Sequence, residues 1–479
     1  MNEKMRDVSV ELATVLEKQK AAQRKEGLPS LEVRADRISR AIDVLLSNQT
    51  AFQDALISDF GHRSRDLTDF ADVAASVKEL RHSRKHMKSW SRPSRRSLEF
   101  PLGLIGASGK VQFQPKGVVG IMSPWNFPIN LTFAPLAGVL AAGNRAMIKP
   151  SEFTPATSEL MAKTIAEQFD EDEIYVITGE ADVAAAFSSL PFDHLVFTGS
   201  TAVGRHVMRA AAANLVPLTL ELGGKSPVIV GDSADITKAA TGIMHGKTFN
   251  AGQVCISPDY VLLKEEQKGS FVEAAQAAVT KMFPEGLKDN DDYTSVLGQR
   301  HFDRMRNHVE DARTKGAEII ELNPKNEDFS QQQHHKLPPT LVMGVNDDMT
   351  IMQEEIFGPL LPVRYTSGTE DAVGYVNANP RPLALYFFGS SSQEESYVMD
   401  NTISGGVTLG DTIMHIAQEN LPFGGVGPSG MGHYHGKDGF LEFSHHKAIY
   451  KQTSFDMLKF LRPPYGGMFR KFVKHNLKS

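Results

Sequence analysis

Cys255 is the single cysteine of a 479-residue chain. It sits in Asn250-Ala251-Gly252-Gln253-Val254-Cys255-Ile256-Ser257-Pro258. Small and amide residues before it and a proline after it spell a tight loop. Backbone N–H dipoles converging in such a loop favour a thiolate. By itself the thiol reads equally as an ordinary small core residue. Glu221 lies in Leu220-Glu221-Leu222-Gly223-Gly224. A carboxyl flanked by leucines is desolvated enough to approach general-base pKa values, unless it faces outward on an alternating strand. Asn126, in Pro124-Trp125-Asn126-Phe127-Pro128, is an amide among rigid apolar neighbours. It suits an oxyanion donor or, more plainly, a turn cap.

Lys149-Pro150-Ser151-Glu152 ends an apolar run with a donor and an acceptor, as ribose hydroxyls require; a solvated strand end is the plainer reading. Gly199 to Gly204 (GSTAVG) follows one strand pattern and opens a helix, where amides can meet a pyrophosphate. Its G-x-x-x-x-G spacing is not the dinucleotide fingerprint, and Arg205 and His206 exclude a phosphate-binding Walker loop. An ordinary strand-to-helix turn fits it as well.

The elements that must position these groups alternate. Residues 117–122, 145–149, 174–177 and 194–197 read as strands, separated by helical patterns at 130–142, 154–169 and 201–213. This is βαβ organisation and a parallel sheet, with ligands expected beyond the carboxyl ends of the strands. A second block begins at Ser226, with a strand at 226–230, a helix near 235–249 and a strand at 260–263. The first ninety residues read as helices broken at Gly27-Leu28-Pro29. Val8, Leu12, Val15 and Leu16 form one apolar face, and Val33, Ile38, Ile42, Leu45 and Leu46 another. Asn323 to Lys336 reads as a surface loop, with nothing nearby to complete a metal site around His334 and His335.

Composition narrows the function classes. Fifty-one basic against 57 acidic residues give a net charge of −6, without the basic excess of a nucleic-acid binder. One cysteine excludes an internal disulfide and points to a reducing, cytoplasmic setting. It also leaves no second thiol to rescue an oxidised Cys255. No secretory pattern occupies Met1 to Lys20, and Leu131 to Gly143 is too short to span a bilayer.

In order along the chain, SPWNFP, KPSE, FTGS, LELGGKSP, NAGQVC, EEIFGP (354–359) and LPFGGVGPSGMG (421–432) resemble the motifs of the NAD(P)-dependent aldehyde dehydrogenase superfamily. They span roughly 110 to 445. Tyr434-His435-Gly436-Lys437 and Phe443-Ser444-His445 resemble the class 3 branch, and the chain is most similar there to bacterial coniferyl-aldehyde dehydrogenases.

The resemblance implies Cys255 as nucleophile, Glu221 as general base and Asn126 as oxyanion donor. It implies Lys149 and Glu152 at the adenine ribose, Gly199, Ser200 and Gly204 near the pyrophosphate, Glu355 at the nicotinamide ribose and Phe357 beside the ring. The cofactor would be NAD, with NADP possible; Glu152 would repel a 2′-phosphate. No metal is implied. The reaction would be oxidation of an aldehyde, coniferyl or another phenylpropenoid, to the acid through a thiohemiacetal and a thioester. Alternatives are medium-chain aliphatic aldehydes, a CoA-acylating reductase (which generally lacks the glutamate) and an inactive structural scaffold. Val254, Ile256 and Ile129 suggest an apolar substrate tunnel.

The implied fold is α/β: a dinucleotide-binding domain (1–97 and 118–224), a catalytic domain (225–415) and a bridging element (98–117 and 416–479) making a homodimer. The stretch from Phe455 to Ser479 is basic and amphipathic; its tail after Tyr465 reads as solvated or subunit-docking, with contact to an anionic membrane through Arg470, Lys471 and Lys474 as the weaker alternative. The sequence departs from the family pattern at Gly410, where relatives commonly carry Asn, and at His433, where some carry Ala or Arg.

Overall fold

The computed structural model describes residues 3–100, 102–104, 106–453, 456, 459 and 461–477. Met1, Phe455 and Ser479, which bound segments named above, lie outside them, as do Pro101 and Ile105 within the expected hairpin.

Strand patterns that are apolar throughout form strands buried on both faces, as a parallel sheet covered by helices demands. Val118–Met122 and Arg145–Lys149 are buried at every position. They join a six-stranded sheet running, in spatial order, 430–431, 218–222, 194–199, 118–122, 145–149 and 174–176. All pairings are parallel except that of 430–431. The chain reverses its direction of travel across the sheet between 118–122 and 194–199. That switch point opens a crevice beyond their carboxyl ends. The helix Asn130–Ala142 is apolar all round and is accordingly buried almost completely.

The second sheet has seven strands, ordered 318–321, 340–343, 360–365, 260–263, 227–230, 384–388 and 406–409. Only the 318–321 pairing is antiparallel. The segments entering 260–263, 360–365 and 384–388 line the same cleft as the carboxyl ends of the first sheet. The carboxyl edge of one sheet therefore faces the amino edge of the other. The carboxyl-end expectation describes only the first sheet.

A third, antiparallel sheet joins Ser94–Arg96, Ser108–Pro115 and Ser444–Lys451. The 416–479 segment is divided, since Gly430 and Met431 extend the first sheet rather than this one.

The N-terminal helices are Glu3–Glu26 and Leu31–Ser47. Leu12, Val15 and Leu16 are buried as expected. Val33 and Leu46 instead face outward, because Arg34 and Arg37 occupy the inner face. Arg34 donates to the carbonyls of Pro29 and Ala141, and Arg37 pairs with Glu26 and Glu173. Among the described residues no helix is long and apolar enough to cross a membrane. The helix Gly467–Asn476 leaves Met468 and Phe472 exposed, with Arg470, Lys471 and Lys474 on the same short element.

Candidate functional site

One cavity of about 1190 Å³ lies between the two sheets. It exceeds the roughly 300–1,000 Å³ of a pocket for a drug-sized ligand. Its lining brings together Asn126, Lys149, Glu152, Gly199, Ser200, Glu221, Cys255, Glu355 and Phe357.

The cysteine loop is wound the wrong way for L-residues. Asn250 and Ala251 have φ of 49° and 51°, and Gly252 follows at 73°. Such backbone costs about 1–2 kcal/mol per non-glycine residue and persists only when its surroundings impose it. Gln253, fully buried, does so. Its Nε2 donates to the carbonyls of Asn250 and Ser295, and its Oε1 accepts from the Leu297 amide. A side chain at 252 would overlap the Gly358 carbonyl. The turn delivers Cys255, half-buried, to the cavity wall.

Asn126 is buried beside it. Its Nδ2 donates to the Gln253 carbonyl at 3.2 Å. Its own carbonyl accepts from Arg63 Nη1 at 2.6 Å and Asn250 Nδ2 at 3.3 Å.

Glu221 occupies the strand Leu218–Leu222, opposite Gly430. It is 2 % exposed, and neither carboxylate oxygen has a hydrogen-bond partner. Burial, aided by Glu442, pushes its pKa well above the ordinary carboxyl value. Leucine neighbours thus mark an inward-facing acid.

The thiol behaves differently from the loop-based expectation. Burial pushes Cys255 up to about 12, and the negative charges of Glu355 and Glu221 act the same way. Backbone N–H groups at Cys255 and Ile256 oppose this but are outweighed. The thiolate-favouring dipoles exist; desolvation beside two acids is the larger effect.

The opposite end of the cavity carries the ribose candidates. Lys149 Nζ donates to the Pro150 carbonyl at 2.7 Å and lies 3.5 Å from Glu152. Gly199 ends its strand at the start of the helix Thr201–Ala212, whose N-cap is Ser200. The Ser200 hydroxyl accepts from the Val203 amide, so the candidate donors to an anion there are the backbone N–H groups of that first turn. Gly204 is not in the cavity. It is buried on the helix, where a Cβ would lie 2.6 Å from Leu222 Cδ2. It sets the distance between helix and strand rather than touching a pyrophosphate.

Glu355 and Phe357 stand on the loop before the strand Leu360–Tyr365. Phe357 has φ of 51° and sets its ring edge-on to Trp125 at 5.2 Å. Burial raises Glu355 to about 8, with Asp259 adding to the rise and the Gly224 amide, Lys225 and Arg304 opposing it. Its Oε1 has no hydrogen-bond partner. That buried, unpartnered oxygen and the wall of glycine beside it fit a ligand rich in hydroxyls.

Several supports escaped the sequence reading. Arg304 donates to the carbonyls of Glu355 and Ile356 at 2.8 and 2.6 Å. Lys225 pairs with Asp259 and donates to the carbonyls of Ile351 and Glu354, while Asp259 accepts from the Ile356 amide. Lys225 stands within a quoted motif, but nothing local to Arg304 marks it. Ile129 and Ile256 are fully buried and Val254 nearly so, in the core cluster against which Cys255 packs. None of the three is among the residues lining the described cavity. Gly410 has φ of 71°, a conformation Gly and Asn both tolerate, so the exchange there preserves the turn. Among the described residues no three His, Cys, Asp or Glu gather as metal ligands. His335 instead bonds Gln299 at 3.0 Å.

Residues 7–449 match the pattern of the Aldehyde dehydrogenase family. The chain is 56% identical to a probable coniferyl aldehyde dehydrogenase of Caulobacter vibrioides, over 97% of this chain and 96% of that one. It is 50% identical to a coniferyl aldehyde dehydrogenase of Pseudomonas sp. strain HR199, over 95% and 94%. Its fold is similar to the substrate-bound AldH structure of Staphylococcus aureus, with a TM-score of 0.90, 34% identity and coverage of 97% and 99%.

Proposed function

The chain belongs to the aldehyde dehydrogenase family, and from that premise we propose that it oxidises aromatic, coniferyl-type aldehydes with NAD⁺ through acylation of Cys255. The observation that carries the reading is the Glu221 carboxyl, buried and unpartnered, in the same cavity as Cys255 and Asn126.

Cys255 adds to the aldehyde carbon as the thiolate, forming a C–S bond and an oxyanion. The Asn126 amide, turning from the Gln253 carbonyl, and the Cys255 backbone N–H supply the donors where that charge develops. A nicotinamide cofactor, when bound, would supply the hydride acceptor that lets the thiohemiacetal on Cys255 collapse to a thioester. Glu221 then removes a proton from water as its oxygen attacks the thioester carbon. The C–S bond breaks, the acid leaves and the thiolate returns.

Lys149 and Glu152 would hold the adenine ribose, the first turn at Thr201 would meet the pyrophosphate, and Glu355 would take the nicotinamide ribose with Phe357 beside the ring; all five line the one cavity. Glu152 favours NAD⁺ over NADP⁺ by repelling a 2′-phosphate.

The relatives' names support an aromatic substrate, and so does a cluster of rings beside Asn126. Phe127 stacks on Phe249 at 6.0 Å, and Phe70 and His245 meet Phe249 edge-on at 6.4 and 6.2 Å. Phe70, at the outer end of this cluster, is 69 % exposed. The three-stranded sheet is the proposed dimer surface, and the lone cysteine supports a cytoplasmic setting.

The test is a comparison of kcat/KM for coniferyl aldehyde, hexanal and decanal with each cofactor. The expected order places coniferyl aldehyde and NAD⁺ first. Higher values for the aliphatic aldehydes would transfer the assignment to them.

A further inference from the structure

Arg63 and Asp72 form an ion pair at 2.6 Å in which both side chains are 0 % exposed. Burying two charges is expensive, and well-packed apolar substitutes commonly stabilise a fold at least as well. This pair has an additional geometric consequence. Arg63 Nη1 donates to the Asn126 carbonyl at 2.6 Å while Nη2 holds Asp72. The other oxygen of Asp72 accepts from the amides of Ile129 and Asn130 at 3.2 and 3.1 Å, at the start of the Asn130–Ala142 helix. The guanidinium lies 4.8 and 4.9 Å from the rings of Phe60 and Phe127. Asp72 itself is carried inward by a π-helical turn, Thr68–Ala74, a rare feature that recurs at functional sites.

We propose that Arg63, locked by Asp72, is the positioning residue that fixes the Asn126 backbone so that its amide meets the developing oxyanion. The inference rests on the reading of Asn126 as the oxyanion donor. Neither Arg63 nor Asp72 lines the cavity that holds Cys255.

The test is a double-mutant cycle on the single-turnover rate of NADH formation from coniferyl aldehyde. Arg63→Lys keeps a charge against Asp72 but loses the fork that reaches both partners. A misplacement of about 1 Å can cost ~10²-fold, so Arg63→Lys is expected to slow the step by about 10- to 100-fold with the KM for NAD⁺ unchanged. In an Asn126→Ala background the same substitution is expected to change the rate less than about twofold, since coupled residues are not additive. Asp72→Asn provides a second arm, expected to show the same loss of effect in that background.

Multiplicative effects of Arg63→Lys or Asp72→Asn with Asn126→Ala would overturn the inference while leaving Asn126 in place. A wild-type rate for Asn126→Ala alone would overturn the reading of Asn126 and the inference with it. If Arg63→Lys fails to fold, the Asp72→Asn arm decides.

Discussion

The Glu355 carboxylate occupies the space that any side chain on residue 223 would need: a Cβ built on Gly223 overlaps both carboxylate oxygens. The two residues come from different sheets' connections, and the glycine in one is the seat for the acid of the other. Gly223→Ala is therefore expected to displace Glu355 and raise the KM for NAD⁺ on the order of tenfold. Its thermal stability should change much less than its affinity for cofactor. Initial-rate kinetics with a melting curve check this; an unchanged KM would remove Glu355 from the cofactor site.

Glu221→Gln separates the two halves of the reaction. The first NADH per site should form at close to the wild-type rate, and steady turnover should fall by about 10²–10⁴ because the base is gone. The raised carboxyl pKa gives a pH signature. The base form exists only above that raised value, so thioester hydrolysis in the wild type declines as pH falls through it, earlier than for an ordinary carboxylate. Stopped-flow profiles of Glu221→Gln should lack that acidic limb.

With its thiol at about 12, Cys255 of the free enzyme is almost wholly protonated at neutral pH. Only the thiolate alkylates readily. Iodoacetamide labelling should therefore accelerate about tenfold per pH unit from 7 to 10 without a plateau. NAD⁺ brings a positive charge towards a thiol flanked by Glu221 and Glu355, which lowers the pKa. Labelling at pH 8 should thus be faster with NAD⁺ present. Because the chain has one cysteine, a single label per chain reports the site directly.

Arg304 holds the loop of Glu355 and Phe357 by two backbone carbonyls, against the left-handed backbone of Phe357. Arg304→Met should release that loop, increasing the KM for NAD⁺ while the melting temperature changes little. Parallel titration and a melting curve distinguish this from general unfolding, which would change both.

The strands and the candidate reacting groups could be read from the sequence because both are local signals. Apolar runs such as Arg145–Lys149 predict strands within a residue. Cys255, Glu221 and Asn126 each sit in a short motif with its own chemical sense. Gly204 misled because a glycine near a phosphate turn looks the same whether it faces ligand or, as here, Leu222. Thiol electrostatics misled because Glu355 is a hundred residues away in the chain and next to the thiol in space. Nothing local to Arg63 or Asp72 marks them as buried partners. Their burial depends on Asn126, Ile129 and Asn130, and on a π-turn that no periodicity announces.

The most direct test of the account is intact-protein and peptide mass spectrometry of Glu221→Gln after mixing with coniferyl aldehyde and NAD⁺. The account predicts one acyl group per chain, on the Cys255 peptide, appearing in step with NADH and absent from Cys255→Ala. NADH formed at the burst rate with no acyl adduct on Cys255 would contradict it.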